Sequence, residues 1–300
     1  MGKILVTGGS GFIGTNLIKK LLEQKKEVIN VDKVDSKLDV ETKKIDLTKT
    51  DFSFLDEIDF DYVIHLAALT NPRMCADAKS AFETNVEATF NLFNKLTQKK
   101  VKKIIFMSSI VVYTNDPKLP IKENSELDIY HDNYSFTKGV CENICEQFRQ
   151  KYSLPILTFR LSNVYGPYQS TEIFPNLVPQ LMLDIIHKNK MEVWNKVPVR
   201  DWIFVEDAAD AIIAALDSPF NGTMNLGTGV GTSVGEVSEI LAQISGAKLE
   251  FLDKKPSPPL KVICDVSRIK KELNWSAKTK VRDGLKQTYK YYNNILKKTQ

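Results

Sequence analysis

A short β-branched run followed at once by a glycine turn and a helical repeat governs what this chain can become. Lys3-Ile-Leu-Val-Thr7 has the apolar density of a strand buried in a parallel sheet. Thr7-Gly-Gly-Ser-Gly-Phe-Ile-Gly14 makes the turn, and Phe12-Ile13, Leu17-Ile18 and Leu21-Leu22 then recur at helical spacing. Gly8, Gly11 and Gly14 give such a turn its unusual dihedrals, bring backbone close to a pyrophosphate and pack the new helix on its strand. The free N–H groups around Phe12 and Ile13 at the helix start attract the anion.

A second strand, Glu27-Val-Ile-Asn-Val31, ends in Asp32, close to the ~20-residue offset at which an acid meets a ribose 2′-hydroxyl. A carboxylate there repels a 2′-phosphate, which favours NAD over NADP as the cofactor. The plainer alternative is a glycine loop for some other phosphate.

Alternation of strand and helix continues, with strands expected over 58–68, 103–107 and 155–160 and helices over 80–98 and 133–152. This is the pattern of an α/β fold, a doubly wound parallel (Rossmann) sheet, in which ligands collect at the carboxyl ends of the strands. Asp32, Ala67-Ala68 and Ser108-Ser109 all fall at such ends. After Arg160 the texture changes, with Pro167, Pro175, Pro179 and Pro198 and shorter elements. The expected division is a cofactor-binding domain over 1–163 and, over 164–300, mainly a smaller C-terminal substrate-binding lobe, with a return of the chain to the first domain around 200–217.

A formal net charge of +4 with acids and bases interspersed is no nucleic-acid footprint, and Lys99-Lys100 and Lys297-Lys298 read as solvated helix ends. No apolar stretch reaches the ~20 residues that span a bilayer, so a cytoplasmic protein with no membrane partner is expected. Cys75, Cys141, Cys145 and Cys264 lack Cys-x-x-Cys spacing and read as reduced packing residues. His65, His131 and His187 are not at ligand spacing, so no metal site is expected; His65 belongs at a strand end, or is a satisfied structural histidine.

The chemistry lies at Tyr134 and Lys138, four residues apart on one helix face. An ammonium beside a phenol favours phenolate, lowering a pKa that is normally ~10 and making Tyr134 a general base toward a substrate hydroxyl. Lys138 also reaches toward the nicotinamide ribose, and Ser109, at the end of a neighbouring strand, can bond the same hydroxyl. A surface Tyr/Lys pair is the alternative for Tyr-x-x-x-Lys taken alone; the glycine turn and the strand ending in Ser108-Ser109 make it specific.

With these three strings in hand, the chain resembles the extended short-chain dehydrogenase/reductase family of NAD-dependent sugar-nucleotide epimerases and dehydratases over almost its whole length. The resemblance implies that Asp46-Leu47 meets the adenine, that Leu66, Ala67 and Ala68 run along the cofactor, and that Asn85 and Ser108 sit close to it. It further implies that Asn163 contacts the sugar nucleotide, that Asn176 and Leu177 wrap the diphosphate, that Val193-Trp194 sandwiches the base, and that Arg200 clamps the diphosphate. A guanidinium suits the last task because its planar fork matches phosphate oxygens.

Departures narrow the reaction. Family 4,6-dehydratases carry an acid just after the catalytic Ser or Thr, where this chain has Ile110-Val111, and the 3,5-epimerase/reductases carry a cysteine that is absent here. Tyr113-Thr114 replaces the common Tyr-Gly, and Lys254-Lys-Pro-Ser-Pro-Pro-Leu260 replaces a second phosphate-binding arginine. The resemblance therefore implies oxidation and reduction at C4 of a nucleoside diphosphate sugar, with a 4-epimerase preferred, a 4-ketoreductase second, and a non-catalytic NAD-binding protein as a third class. It also implies a homodimer paired through the helices over 80–98 and 137–152, with Met74, Phe90 and Phe148 as seam candidates that core packing explains equally well.

Overall fold

The computed structural model describes residues 2–172, 175–256 and 258–296; Lys297-Lys298 lie outside them. β1 (Ile4–Thr7), α1 (Phe12–Glu23), β2 (Val28–Asp32), β3 (Glu41–Lys44) and β4 (Tyr62–His65) open the chain. α2 (Ala78–Ala81) continues through a π-helical stretch, Phe82–Glu87, into α3 (Ala88–Leu96). β5 (Lys103–Ser109), α4 (Asn133–Tyr152) and β6 (Ile156–Leu161) complete the first pass. β7 (Asn163–Tyr165), α5 (Leu177–Lys188), β8 (Lys190–Val193), β9 (Val199–Phe204), α6 (Val205–Leu216) and β10 (Gly222–Leu226) follow. The chain closes with β11 (Gly231–Ser233), α7 (Val234–Ser245), β12 (Lys248–Phe251), β13 (Lys261–Val262), α8 (Ser267–Leu273) and α9 (Val281–Leu296).

Seven strands form one parallel sheet in the order β10-β6-β5-β4-β1-β2-β3. The order reverses at β1, so the crevice between the first turn and the end of β4 is where a doubly wound sheet takes a ligand. Both faces are covered: Leu17, Ile18, Ala208 and Ile212 pack on one with Ile105 and Phe159, while Phe93, Cys141 and Phe148 pack on the other with Val63 and Phe106. That double burial explains strands that read as continuous apolar runs.

The observed β4 is shorter than the 58–68 expected, because Leu66–Ala68 leave the ladder and form the loop bordering the crevice. Past residue 163 the chain does not stay in one lobe. α6 packs on the face covered by α1, and β10 becomes the edge of the main sheet beside β6, so the return extends beyond 200–217. Ile269 and Trp275 also join that core. The second lobe is built from a small sheet with β9 at its centre, the β12-β8 pair and a core shared by α5, α7 and α9.

Candidate active site

A cleft of about 1230 Å³ lies between the carboxyl ends of the main sheet and the second lobe. Its first wall is the glycine turn. Gly8 has φ +74, and a Cβ there would stand 2.5 Å from the backbone nitrogen of Ala67. Gly11 is the N-cap of α1, with no side chain capping the helix and no acid in its first turn. The N–H groups of Phe12, Ile13 and Gly14 therefore remain for an anion. Asp32 accepts backbone N–H bonds from Ser10 at 3.0 Å and Val34 at 3.3 Å. Those two bonds leave lone pairs of the carboxylate for hydroxyls, the chemistry a ribose diol requires. Asp46, Leu47, Leu66, Ala67 and Ala68 continue the same wall. A glycine cradle, an uncapped helix start and an acid with spare acceptors fit a dinucleotide such as NAD.

The end of β5 meets the start of α4 beside this wall. Asp132 caps α4 in a capping box with Ser135, fixing the turn that presents Tyr134. The Tyr134 phenol, 8 % exposed, stands beside Ser109 at the end of β5. Burial pushes its pKa up to about 12, and the neighbouring Ser109 hydroxyl pulls in the opposite direction. Lys138 does not play the part its spacing suggests. Its Nζ donates to the Met107 carbonyl at 2.8 Å and lies 5.2 Å from the Phe106 ring centre, and burial lowers its pKa. The four-residue spacing puts both residues on one face, but the ammonium is held by the Met107 carbonyl of β5, and Ser109 is the group that favours phenolate here.

Ser108 borders the cleft, yet its hydroxyl is turned away, donating to Glu142 Oε1 at 2.6 Å. Asn85 is not a lining residue. Its Oδ1 accepts from the Leu69 N–H at 2.7 Å, and its Nδ2 donates to the Leu69 carbonyl at 3.1 Å and to Thr137 Oγ1 at 3.0 Å. Asn85 thus braces the loop after β4 from behind. The π-helical turn releases its carbonyl, which accepts from Thr89 Oγ1 at 2.5 Å and Cys141 Sγ at 3.0 Å.

His65 is the structural histidine of the two readings: its ring bridges Thr7 Oγ1 at 2.6 Å and Thr89 Oγ1 at 2.9 Å. Burial lowers its pKa to about 3. The unfolded chain takes up a proton below pH ~6.5 that the folded chain refuses, so stability is full above that pH. It should fall by at most about 1.4 kcal/mol per pH unit as the pH drops toward 3. Thermal unfolding of the parent and a His65→Phe variant between pH 7 and 4.5 checks this; a parallel decline in both would assign the loss to other groups.

On the opposite wall stand Asn163, Asn176, Leu177 and Arg200. The Arg200 guanidinium donates to the carbonyls of Val199 at 2.9 Å and Leu260 at 3.4 Å, and burial lowers its pKa. A cation held only by carbonyl oxygens is poised for an anion. Asn163 Oδ1, Ser162 Oγ and Gln169 Oε1 are buried without a hydrogen-bond partner, and all three residues border the cleft. Such orphans call for a polar ligand. Val193 and Trp194 are not brought in: Val193 is packed with Met191 in the second core, while Trp194 is 64 % exposed under the Lys254 ammonium, 4.2 Å from its ring centre. Strand alternation in β8 explains both placements, since consecutive residues face opposite sides.

Sequence reading missed Gln169, His131 and the buried pair of Glu142 with Arg160, whose Nη2 lies 2.6 Å from Glu142 Oε2. Glu142 stands four residues beyond Lys138, a signal the Tyr-x-x-x-Lys string already contained. All four cysteines are buried and free. Among the described residues there is no metal-ligand cluster and no helix long and apolar enough to cross a membrane.

Comparison with known proteins agrees with this geometry. The model of the NAD dependent epimerase/dehydratase family matches residues 4–227. The chain is 31% identical to UDP-glucose 4-epimerase 3 of Oryza sativa subsp. japonica, over 93% of this chain and 87% of that one. UDP-glucose 4-epimerase of Thermotoga maritima, solved with UDP-glucose, superposes with a TM-score of 0.91 at 27% identity, covering 98% of this chain and 99% of that one. UDP-glucuronic acid 4-epimerase of Bacillus cereus, solved with UDP-glucuronic acid and NAD, gives 0.86 at 26% identity, covering 98% and 99%.

Proposed function

Because this chain belongs to the NAD-dependent epimerase/dehydratase family, we propose that its cleft epimerises a nucleoside diphosphate sugar at C4 through a transient 4-keto sugar. The observation that carries the reading is the meeting of Ser109 and Tyr134 in one cleft, between a dinucleotide cradle and a wall holding Arg200 and the unpartnered Asn163 oxygen.

NAD, when bound, would supply the hydride acceptor and donor. Gly8, Gly11, Phe12, Ile13 and Gly14 would hold its pyrophosphate, Asp32 its ribose hydroxyls, and Asp46 and Leu47 would border its adenine. Ser109 donates to Tyr134 and to the sugar 4-hydroxyl in turn, and Tyr134 takes the proton of that hydroxyl as its carbon is oxidised. Lys138, held by the Met107 carbonyl on the same helix face, would reach toward the nicotinamide ribose. Arg200, Asn176 and Leu177 grip the diphosphate, and Asn163 bonds the sugar. The bulk of the grip falls on the nucleotide, so the hexose keeps enough freedom to present either face to Tyr134.

The second reading is a 4-ketoreductase using the same residues and exchanging NADH with solution. Incubation with UDP-, dTDP-, GDP- and CDP-hexoses and only catalytic NAD, followed by NMR of the anomeric protons, separates the two. Equilibration of two 4-epimers establishes the epimerase. An unchanged mixture, with stoichiometric NADH oxidation on 4-keto-6-deoxy sugars, moves the assignment to the reductase.

A homodimer is supported by the apolar side chains that α2–α3 and α4 leave in solvent: Phe82 at 47 % exposure, Phe90 at 41 %, Phe136 at 39 % and Tyr152 at 41 %. Phe148 is 1 % exposed and packs beneath Phe90, so it is core and not seam. Light scattering should give twice the chain mass, and Phe90→Glu should shift it toward one; a monomeric parent would remove the proposal.

A further inference from the structure

Tyr134, Lys138 and Glu142 recur every fourth residue of α4 and form one stripe. Each faces a different residue at the end of β5: Tyr134 stands beside Ser109, Lys138 Nζ donates to the Met107 carbonyl at 2.8 Å, and Glu142 Oε1 accepts from Ser108 Oγ at 2.6 Å. Ile104 and Phe106 pack against Cys141 and Ile144 of α4, and Ser108 is the next residue on that face of the strand.

Glu142 does not float in this position. Arg160 is the residue directly opposite Ser108 on β6, and its Nε lies 3.0 Å from Glu142 Oε1 while Nη2 lies 2.6 Å from Oε2. Arg160 Nη1 in turn donates to the Tyr113 hydroxyl and to the Glu123 carbonyl, each at 2.9 Å, and Tyr113 donates to Asn225 Oδ1 at 2.7 Å. Ser108, Glu142 and Arg160 are 2 %, 8 % and 5 % exposed. A buried ion pair adds little net stability compared with apolar residues of the same shape, so its contribution is sought in what its geometry imposes. Neither Glu142 nor Arg160 borders the cleft, and the Ser108 hydroxyl is fully committed to them.

We propose that Glu142, clamped by Arg160, is a positioning residue of the reaction: through Ser108 it sets the register of the end of β5 against α4, and thereby the approach of Ser109 to the Tyr134 phenol. This inference rests on Ser109 and Tyr134 being the reacting pair. Two adjacent strand residues are held by two stripe residues eight apart on a rigid helix, so loosening the Ser108 contact lets Ser109 drift from the phenol.

The test is Ser108→Ala, which deletes one hydroxyl and leaves the Glu142–Arg160 pair intact, with Ser108→Thr as the variant that restores it. Loss of this one buried bond should lower kcat about tenfold with KM and bound NAD unchanged. The acidic limb of the kcat/KM profile should move to higher pH, because Ser109, which favours the ionised phenol, is held less closely to it. The 13Cζ resonance of Tyr134, assigned with Tyr134→Phe, should shift in Ser108→Ala in the direction seen in Ser109→Ala, and Ser108→Thr should return all three readouts toward the parent. An unmoved Tyr134 resonance with an unmoved pH limb overturns the inference, whatever happens to kcat. Absence of parental turnover on every sugar would instead count against the proposed function, and the resonance would still decide the register.

Discussion

Tyr134→Phe is expected to lower kcat by about 10³-fold, the range in which a positioned general base contributes, while NAD stays bound. The change removes one oxygen from a side chain that is 8 % exposed and packs against Cys75 and Ala81. The ring keeps those contacts, so folding and cofactor occupancy are the controls. The size of the effect follows from the surroundings of the phenol. Burial pushes its pKa up to about 12, so the chain alone holds it neutral near pH 7 and the proton can move only when Ser109 and a bound cofactor jointly favour the anion. Turnover on the sugar that the parent epimerises, with NAD content read by absorbance, checks the prediction. Activity within tenfold of the parent would remove Tyr134 from its role.

The second large effect is expected at the turn. A Cβ on Gly14 would lie 2.5 Å from Gly9 Cα and 2.7 Å from the Gly9 carbonyl carbon, and would also run into the Gly8 carbonyl oxygen. Every obstacle is backbone, so no rotamer relieves it and the turn must open. Overpacking of this kind costs roughly 1–3 kcal/mol, and that strain falls on the N–H groups that hold the pyrophosphate. Gly14→Ala should therefore weaken NAD binding by roughly 10- to 100-fold, since 1.4 kcal/mol is tenfold in affinity. Calorimetric titration with NAD decides it, and an affinity within threefold of the parent would show that the cradle binds elsewhere. The melting temperature should fall as well, because the same turn fixes α1 on the main sheet.

What could be read from the sequence was chemistry encoded in short strings. The glycine turn, the acid ending β2, the Ser108-Ser109 strand end and the Tyr134/Lys138 face each depend on residues a few positions apart, and all four border the cleft. What escaped depends on residues far apart in the chain. The target of Lys138 is a carbonyl 31 residues away, and no helical spacing reveals which strand a lysine stem will follow. Glu142 and Arg160 are brought together by the β5–β6 register. Asn85 looks like a contact residue until the fold shows that its amide is consumed by Leu69 and Thr137. The prolines after residue 163 accompany a change of texture, but a strand of five residues does not say which sheet it joins, and Gly222–Leu226 joins the first.

That late strand bears on how the molecule is made. A ribosome emits β6 about sixty residues before its edge partner β10, and the cover of one face of the sheet, α6, also arrives after the second lobe has begun. Until then the growing chain displays Leu157 and Phe159, and Leu17, Ile18 and Leu21 of α1, without their lids. A fragment stopping near residue 163 would carry every group of the dinucleotide cradle and still be a sticky, open-edged intermediate. Proteins of this layout can be cut from a gene only beyond β10, and splitting them for reconstitution requires that the second piece bring its strand back.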